Sequence, residues 1–372
     1  MLTALAVENY RSLCELVLPL GQLTVITGAN GSGKSNVYRS LRLLAEAAQG
    51  GIVPALAREG GFASSLWAGE QRKKKDAGLS LGFASTELSY AVDLGFPPAV
   101  PPSAFDGDPE IKRECIWMGE KLRPSSLLVD RRGPQVRCKN EEDEWEVFRD
   151  HFPGYESVLA NLTDPRHMAE GLVLREAIRS WRFYDHFRTD AGAPVRQAQI
   201  GTRTPALGHD GSDLAAALQT IIEIGDEAGL EEAIDDAFPG ASVEIFSEQA
   251  LFSVALRQPG LVRPLSAAEL SDGTLRYLLL VAALLTPRPP ALMILNEPET
   301  SLHPDLLPAL GRLIRAAARS TQMIVVSHAV ELVNALELDE NCVSHNLEKE
   351  GGATRIAGMG MLDGPPWQWP TR

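Results

Sequence analysis

A phosphate-binding loop is predicted near the amino terminus, where residues Gly28 to Ser35 read GANGSGKS and fit the pattern G-x-x-x-x-G-K-S/T. Its glycines let the backbone wrap tightly, so that successive N–H groups face one anion. The ammonium of Lys34 can reach the β- and γ-phosphates of a nucleotide, and the hydroxyl of Ser35 can bind Mg²⁺. The segment therefore predicts a site for ATP and Mg²⁺.

Polar residues in the last third of the chain stand where a nucleotide site would need them. Ser271 and Gly273 precede an apolar helix pattern and offer a hydroxyl and backbone N–H groups to an anion. Glu297 and His328 each follow a short apolar run that is typical of a buried strand. Ligands of open α/β sheets bind at the carboxyl ends of strands. We therefore expect Glu297 to polarise a water molecule and His328 to contact the γ-phosphate.

The anion-binding segment at Ser271 and Gly273 also predicts an assembly. One nucleotide does not need two helix starts from a single chain, one near Lys34 and a second near Ser271. The economical explanation is a homodimer that forms on ATP binding. In it, the segment with Ser271 and Gly273 caps the nucleotide that the other subunit holds.

Hydrophobic patterns predict the elements that must position these residues. The run LTVIT at 23–27 is rich in β-branched residues and predicts a strand before the loop, and the pattern after the loop predicts a helix that begins near Lys34. Other strands are predicted over 79–94 and as a hairpin of 243–246 with 251–256, and other helices over 143–152, 170–187, 213–224 and 230–238.

The motifs together resemble those of a known group of nucleotide-binding proteins. NGSGKS, LSDGT, ILNEPETSLHP and VVSH are similar to the Walker A, signature, Walker B with D-loop, and switch-histidine motifs of ABC-type ATPases. LSDGT and EPETSLHP, with NYRSL before the first motif, look most like the RecF/SMC-like branch and its small AAA-family relatives, among them OLD-type ATPase domains. The resemblance implies an α/β P-loop NTPase fold, ATP and Mg²⁺ as ligands, and work on DNA in repair, recombination or anti-phage defence.

The resemblance also implies a role for each site residue. Glu297 would be the catalytic base and His328 the γ-phosphate sensor, while Ser271 and Gly273 would contact the γ-phosphate across the dimer. Arg11, in NYRSL, is a candidate for a nucleotide or dimer contact, and an ordinary surface arginine is an equal alternative. The phosphates would be held within one chain by the loop residues Gly28, Asn30, Gly31, Ser32, Gly33, Lys34, Ser35 and Asn36.

The residue before Glu297 departs from the family pattern. It is Asn296, where the family usually has Asp. A carboxylate would hold a Mg²⁺-bound water with a full charge, whereas the asparagine carbonyl offers only a neutral dipole to a hard cation. Ser35 and Asn296 remain the predicted metal ligands, and the substitution predicts weaker Mg²⁺ binding and slow turnover.

The long stretch between Ser35 and Ser271 predicts a globular insert. SMC proteins place heptad-repeat coiled coils there, but Gly and Pro punctuate this stretch throughout. We expect an ABC-type ATPase head with a globular α+β insert and no long coiled coil, and Gln71 is a candidate for the glutamine loop. The predicted parts are an ATPase segment with the phosphate loop over 1–95, a mainly helical insert over 96–240, and an ATPase segment with the other motifs over 241–372.

Composition limits the classes of partner. The chain has 372 residues and a net charge of −14, from 35 Lys and Arg against 49 Asp and Glu, so it is poorly suited to non-specific binding of nucleic acid. The basic run at 72–75 could grip a DNA backbone or be a solvated loop. The longest apolar run, 277–285, is far shorter than the ~18 residues of a membrane span. The scattered cysteines form no C-x-x-C pair, and a cytoplasmic protein is expected.

Two other functions remain open on sequence grounds. A regulatory ATPase could control a separate protein effector, a nuclease or a toxin, without binding DNA itself, and the acidic charge favours this alternative. The ATPase subunit of a membrane transporter is disfavoured, because such subunits carry SGGQ where this chain has SDGT. The segment after His328 is too short for a nuclease domain of the topoisomerase-primase type, so we expect any nuclease or effector to be a separate protein or to lie unrecognised in the insert.

Overall fold

The structure is a computed structural model, and it describes residues 1–69, 78–98, 103–140, 142–149, 151–161, 165–360 and 363–371. Gln71 and the basic run at 72–75 lie outside the described residues. The chain divides into two compact units. The first contains Met1–Gly21, Ile26–Trp181 and His345–Arg372, and the second contains Gln22–Val25 and Arg182–Ser344.

The described chain contains both strands and helices, as a mixed α/β structure. The strands are β1 (Leu2–Tyr10), β2 (Leu13–Pro19), β3 (Leu23–Gly28), β4 (Gly78–Ser85), β5 (Leu88–Gly95), β6 (Glu110–Met118), β7 (Leu127–Arg132), β8 (Gln135–Lys139), β9 (Trp145–Arg149), β10 (Arg182–Tyr184), β11 (Gln199–Ile200), β12 (Ser242–Glu248), β13 (Leu251–Arg257), β14 (Leu265–Ser266), β15 (Leu292–Asn296), β16 (Gln322–Val326), β17 (Cys342–Glu350) and β18 (Ala353–Ile356). The helices are α1 (Lys34–Gln49), α2 (Ile52–Arg58), α3 (Phe62–Ser65), α4 (Pro165–Arg179), α5 (Leu214–Ile224), α6 (Glu227–Ala237), α7 (Asp272–Leu284), α8 (Leu307–Ala317) and α9 (Val330–Leu336).

An antiparallel sheet dominates the first unit. Its strand order is β2-β1-β4-β5-β6-β7-β8-β9, so most neighbours in the sheet are also neighbours in the chain. Strand β1 pairs with both β2 and β4, and its Leu5 and Tyr10 are fully buried. The predicted strands over 79–94 are confirmed as the β4–β5 hairpin. This unit also contains α1, which follows the phosphate-binding loop.

The first half of the predicted insert is made of strands. We expected 96–240 to be mainly helical, but β6 to β9 occupy most of the described residues between 110 and 149. The prediction of a helix over 143–152 is wrong, because Trp145–Arg149 pairs antiparallel with β8. The sequence WEVFR is rich in aromatic and β-branched residues, which suit a pleated sheet surface better than a helix. The boundaries of the three predicted parts stay a prediction.

A parallel sheet forms the centre of the second unit. Strands β10, β15 and β16 pair in parallel, and the start of β3 continues the order as β10-β15-β16-β3. Helix α7 is buried from Leu275 to Leu284 and shares one hydrophobic core with the strand residues Met293 and Val325. The predicted hairpin and the last two predicted helices are confirmed as β12–β13, α5 and α6.

One predicted helix ends earlier than expected. Over 170–187 the helix α4 stops at Arg179, and Arg182–Tyr184 forms β10. The difference arises because β10 pairs in parallel with β15, with Phe183 opposite Ile294, and a sheet partner distant in sequence overrides the local pattern. The longest described helix has 16 residues, so the described part of the chain contains no long coiled coil. No helix in these described ranges is long and apolar enough to cross a bilayer.

Candidate functional site

The phosphate-binding loop connects β3 to α1 in the first unit. Its three glycines have positive φ angles, 145° at Gly28, 79° at Gly31 and 112° at Gly33, a region that side chains other than glycine rarely adopt. Helix α1 begins at Lys34 without a side-chain N-cap, so its first N–H groups receive no capping acceptor from a side chain. This wrapped backbone before an uncapped helix start is suited to an anion such as a phosphate.

The first polar side chains of α1 take different positions. The buried ammonium of Lys34 donates to the backbone oxygens of Gly28 at 2.6 Å and Ala29 at 3.3 Å, so it lies across the loop. Ser35 is exposed, as are Asn30 and Gly31. The exposed hydroxyl of Ser35, an oxygen donor next to a phosphate loop, fits the chemistry of a Mg²⁺ ligand.

A hydrogen-bonded chain of hydroxyl groups supports the phosphate-binding loop. Thr354 Oγ1 donates to the backbone oxygen of Ser32 at 2.7 Å and lies 2.7 Å from Ser12 Oγ. The Asn36 amide donates to Ser12 Oγ at 2.8 Å. The side chain of Asn36, a predicted phosphate contact, is thus hydrogen-bonded to a residue that supports the loop. A Cβ at Gly33 would overlap Thr354 Oγ1 and lie 2.9 Å from Ser12 Oγ. Glycine is therefore required at position 33 by packing as well as by backbone angle.

Arg11 forms a local ion pair. Its guanidinium pairs with Glu59 at 2.9 Å, and the hydroxyl of Tyr10 donates to the same carboxylate at 2.7 Å. Burial, and then the hydrogen bond to Glu59, raises the pKa of the Tyr10 hydroxyl, which keeps it a donor. The structure thus places Arg11 in a local ion pair, and its predicted contact with nucleotide or a second subunit stays a prediction.

Glu297 follows the central strand β15 of the second unit. Its N–H donates to the backbone oxygen of Val326 at 2.8 Å, which continues the pairing of β15 with β16 beyond the strand end. Its backbone has a φ of 50°, a left-handed conformation that costs a non-glycine residue about 1–2 kcal/mol. The carboxylate side chain is 41% exposed, so it is open to a water molecule.

His328 lies close to two glutamates. Its Nδ1 is 3.2 Å from Glu299 Oε1 and 3.9 Å from Glu297 Oε1. Glu299 is buried, and its Oε1 accepts from Ser327 Oγ at 2.8 Å and from the backbone N–H of His328 at 2.9 Å. The structure therefore brings the predicted base Glu297 and the predicted sensor His328 together. The buried carboxylate of Glu299 lies next to His328.

Asn296 ends β15 with an oxygen that lacks a donor. Its Oδ1 is buried and accepts no hydrogen bond from the described residues, and an unpaired buried acceptor of this kind calls for an explanation. A neutral amide oxygen is a known ligand of hard divalent cations. Asn296 therefore fits the predicted metal role, with a weaker donor than a carboxylate.

The predicted signature residues begin α7. Ser271 Oγ caps the helix by accepting from Thr274 N at 3.1 Å, and the residue remains exposed. A Cβ at Gly273 would lie 2.7 Å from the backbone oxygen of Ser301, so the glycine allows the loop after Glu297 to approach the helix. Buried Arg276 donates to the backbone oxygens of Asp185 at 3.1 Å and Glu297 at 3.3 Å. The signature helix is thus bonded directly to the residue predicted as catalytic base.

Arg196 holds the chain segment that leads into α7. Its guanidinium donates to the backbone oxygens of Ala267 at 3.0 Å and Leu270 at 2.8 Å, and it pairs with Asp272 at 2.7 Å. Its own side chain is 10% exposed, so these bonds are shielded from water on the arginine side. The contacts fix the position from which Ser271 faces solvent.

Sequence reasoning missed four supporting residues, Ser12, Thr354, Arg196 and Glu299. Ser12 and Thr354 are 342 positions apart, and no local pattern indicates such a contact. Arg196 ends a short 3₁₀ helix, Pro194–Arg196, that carries no motif. For Glu299 a signal exists, because it belongs to EPET, but its identity does not distinguish a buried anchor from a solvated strand end.

Comparison with known proteins gives the family and the fold. The family described as "AAA domain, putative AbiEii toxin, Type IV TA system" matches residues 23–334. A stretch of 44 residues is 48% identical to the OLD nuclease of Thermus scotoductus, and it covers 12% of this chain and 8% of that protein. The chain therefore spans only a small part of that relative's length.

Two solved SMC heads resemble the whole chain. One, bound to the C-winged helix domain of ScpA, superposes with a TM-score of 0.53 at 12% identity over 97% of this chain and 98% of that one. The other, with an extended coiled coil and bound to the C-terminal domain of ScpA from Pyrococcus furiosus, has a TM-score of 0.50 at 12% identity over 96% and 95%. At this identity the likeness shows the fold alone.

Fold and motifs together define a P-loop ATPase of the ABC type, in its RecF/SMC-like branch. The predicted fold class is thereby confirmed. Within that class, the chain belongs to the family described as "AAA domain, putative AbiEii toxin, Type IV TA system".

The Gly33→Ala variant is expected to bind ATP at least about tenfold more weakly, since a backbone strain of about 1–2 kcal/mol already corresponds to that factor and the Cβ would also overlap Thr354. A fluorescent ATP analogue measures the Kd. Gly107→Ala is the matched control, because a Cβ there has no atom within 4 Å. Equal Kd values for the two variants would contradict the packing argument.

Proposed function

We propose that the chain binds ATP on the loop from Gly28 to Asn36 and hydrolyses it with Glu297 as general base. The observation that carries the proposal is the position of Glu297. Its half-exposed carboxylate follows a central parallel strand, where ligands of such sheets bind. Its unusual backbone conformation is held by bonds to Val326 and Arg276, and strain of this kind is concentrated at functional sites.

Each group has a defined task in the proposed reaction. The oxygen of water attacks the γ-phosphorus, and Glu297 accepts the proton that the water loses. The bond between the γ-phosphorus and the oxygen that bridges to the β-phosphate breaks, so ADP and inorganic phosphate are the products. Lys34 and the N–H groups that begin α1 offset the negative charge of the phosphates. Ser35 and Asn296 would hold Mg²⁺, whose charge supports the same phosphate oxygens when bound. His328 would contact the γ-phosphate and so respond to whether it is present.

Dimer formation is the second part of the proposal. Ser271 is exposed at the start of α7, and this helix start offers N–H groups to an anion. Arg196 and Gly273 fix its position, so the segment is preorganised to meet a nucleotide held by another subunit. ATP would close two subunits together, and hydrolysis would release them.

The partner on which this cycle acts is proposed from resemblance and charge. The RecF/SMC-like motifs favour work on DNA, in repair, recombination or anti-phage defence. The family description names a toxin of a toxin–antitoxin system, and the net charge of −14 opposes unaided binding of a polyanion. The charge favours a second candidate, a regulatory ATPase that controls a separate nuclease or toxin.

Glu297→Gln is expected to bind ATP without hydrolysing it, because the amide keeps the size of the side chain but accepts no proton. Addition of ATP and Mg²⁺ should then double the particle mass measured by light scattering. Lys34→Ala serves as the control that lacks the phosphate contact, and it should remain at the mass without nucleotide. A Glu297→Gln protein that stays monomeric at saturating ATP would refute the dimerisation cycle.

Asn296→Asp is expected to raise the ATPase rate or lower the Mg²⁺ concentration needed for half-maximal rate, because a carboxylate is a stronger ligand for a hard cation. Steady-state phosphate release over a Mg²⁺ titration measures both quantities. Asn334→Asp adds the same charge at an exposed position of α9 and controls for net charge. The metal role of position 296 is excluded if the two variants have the same Mg²⁺ dependence.

Binding of labelled duplex DNA to the ATP-locked Glu297→Gln form separates the two candidate functions. Work on DNA predicts ATP-dependent binding that weakens steeply with salt, as phosphate contacts release counterions. Control of an effector predicts no such binding across the salt series. Fluorescence anisotropy with and without ATP makes the measurement, and the Lys34→Ala variant sets the background.

A further inference from the structure

Glu299 is a buried carboxylate with no part in the proposed hydrolysis. It lies two residues after Glu297, and its side chain is only 6% exposed. Its Oε1 accepts from Ser327 Oγ at 2.8 Å and from the backbone N–H groups of His328 at 2.9 Å and Ala329 at 3.3 Å. A single carboxylate oxygen thus holds the turn that follows β16.

The imidazole of His328 is directed to the same oxygen. Its Nδ1 lies 3.2 Å from Glu299 Oε1, which is close to hydrogen-bond distance, and 3.9 Å from Glu297 Oε1, which is beyond it. The imidazole is 55% exposed, so burial alone does not fix its orientation. Glu299 is therefore the carboxylate that can set the direction of the ring.

We propose that Glu299 is the positioning residue for His328, and that it fixes which ring nitrogen is presented to the γ-phosphate. The inference rests on the proposed function for the role of His328. Glu299 anchors the backbone on both sides of the histidine Cα and orients the side chain through Nδ1. Both effects act at His328 and leave the carboxylate of Glu297 available to water.

The contact with Glu299 favours one tautomer of His328 in the proposal. A carboxylate oxygen accepts hydrogen bonds, so a hydrogen on Nδ1 of His328 makes the 3.2 Å contact with Glu299 Oε1 favourable. A neutral imidazole has one N–H, and its Nε2 is then left with a lone pair. In the proposal, Nε2 is therefore the ring nitrogen presented to the γ-phosphate.

Carboxylates that orient a histidine contribute measurably to affinity or activity at other sites. Where a carboxylate orients a metal-binding histidine, its removal typically costs 10–100-fold in affinity or activity. We expect Glu299→Ala to lower kcat for ATP by about tenfold on this scale, with the KM changed by less than about twofold. Glu299→Gln keeps an acceptor oxygen and should restore most of the rate.

Nitrogen-15 NMR of the imidazole rings tests the proposal without reference to hydrolysis. The chain has seven histidines, and the signals of His328 are assigned from their loss in His328→Gln. At pH 8, where an ordinary histidine is neutral, the wild-type ring is expected as the Nδ1–H tautomer. In Glu299→Ala the ring should revert to the Nε2–H form that free imidazole side chains prefer in water.

Two further variants separate positioning from general damage. Ser327→Ala removes one donor to Glu299 Oε1 but leaves the imidazole contact, so the Nδ1–H tautomer should persist. Glu297→Gln should lose turnover and also retain that tautomer, because its carboxylate is too distant to fix Nδ1. Folding of each variant is checked by circular dichroism before its spectrum is interpreted.

The wild-type spectrum decides the proposal even where a variant does not fold. An Nε2–H ring in the wild type at pH 8 would overturn it, and so would an unchanged tautomer in a folded Glu299→Ala protein. A wild-type chain that hydrolyses no ATP would refute the proposed function and leave the NMR result in force. The failures of the two proposals are therefore distinguishable.

Discussion

The register between β15 and β16 is the constraint on which the polar residues of the second unit depend. Parallel pairing sets Asn296 opposite Val326, so the chain leaves both strands at one edge of the sheet. Glu297 and Ser327 then begin their loops side by side, and the N–H of Glu297 donates to Val326 at 2.8 Å. A slip of one residue would turn every side chain of the strand to the opposite face. The apolar runs that form these strands therefore determine the chemistry at their ends.

Unusual backbone angles occur in the phosphate-binding loop and directly after β15. In each case neighbouring residues enforce them. At Gly33 the φ of 112° is combined with close contact to Thr354 and Ser12. At Glu297 the left-handed backbone receives a bond from Arg276, a guanidinium whose pKa is lowered by burial, with the charge of Glu299 opposing that shift. Such conformations persist only where the surroundings over-determine them. The backbone conformations of Gly33 and Glu297 are therefore fixed by contacts with residues outside the motifs as well as by the motifs themselves.

Sequence analysis predicted the parts of the fold and site that depend on local patterns. The strand before the loop, α1, α5, α6 and the β12–β13 hairpin each have a periodicity that their own residues determine. Strand β10 could not be predicted, because Arg182–Tyr184 is a strand only by pairing with residues 293–295. The contact of Ser12 with Thr354 has the same origin. Glu299 stands inside a motif, yet its role depends on burial, which only the folded chain defines.

Glu297 and Glu299 show how environment assigns different roles to one residue type. Glu299 is surrounded by donors on one oxygen, while its Oε2 and the Oδ1 of nearby Asn296 are buried without a donor among the described residues. An unpaired buried acceptor costs about 1–3 kcal/mol. Glu297 carries no such cost, because its side chain reaches water. The strand end thus combines a strained, open carboxylate with buried acceptors that a cation or a further donor could satisfy.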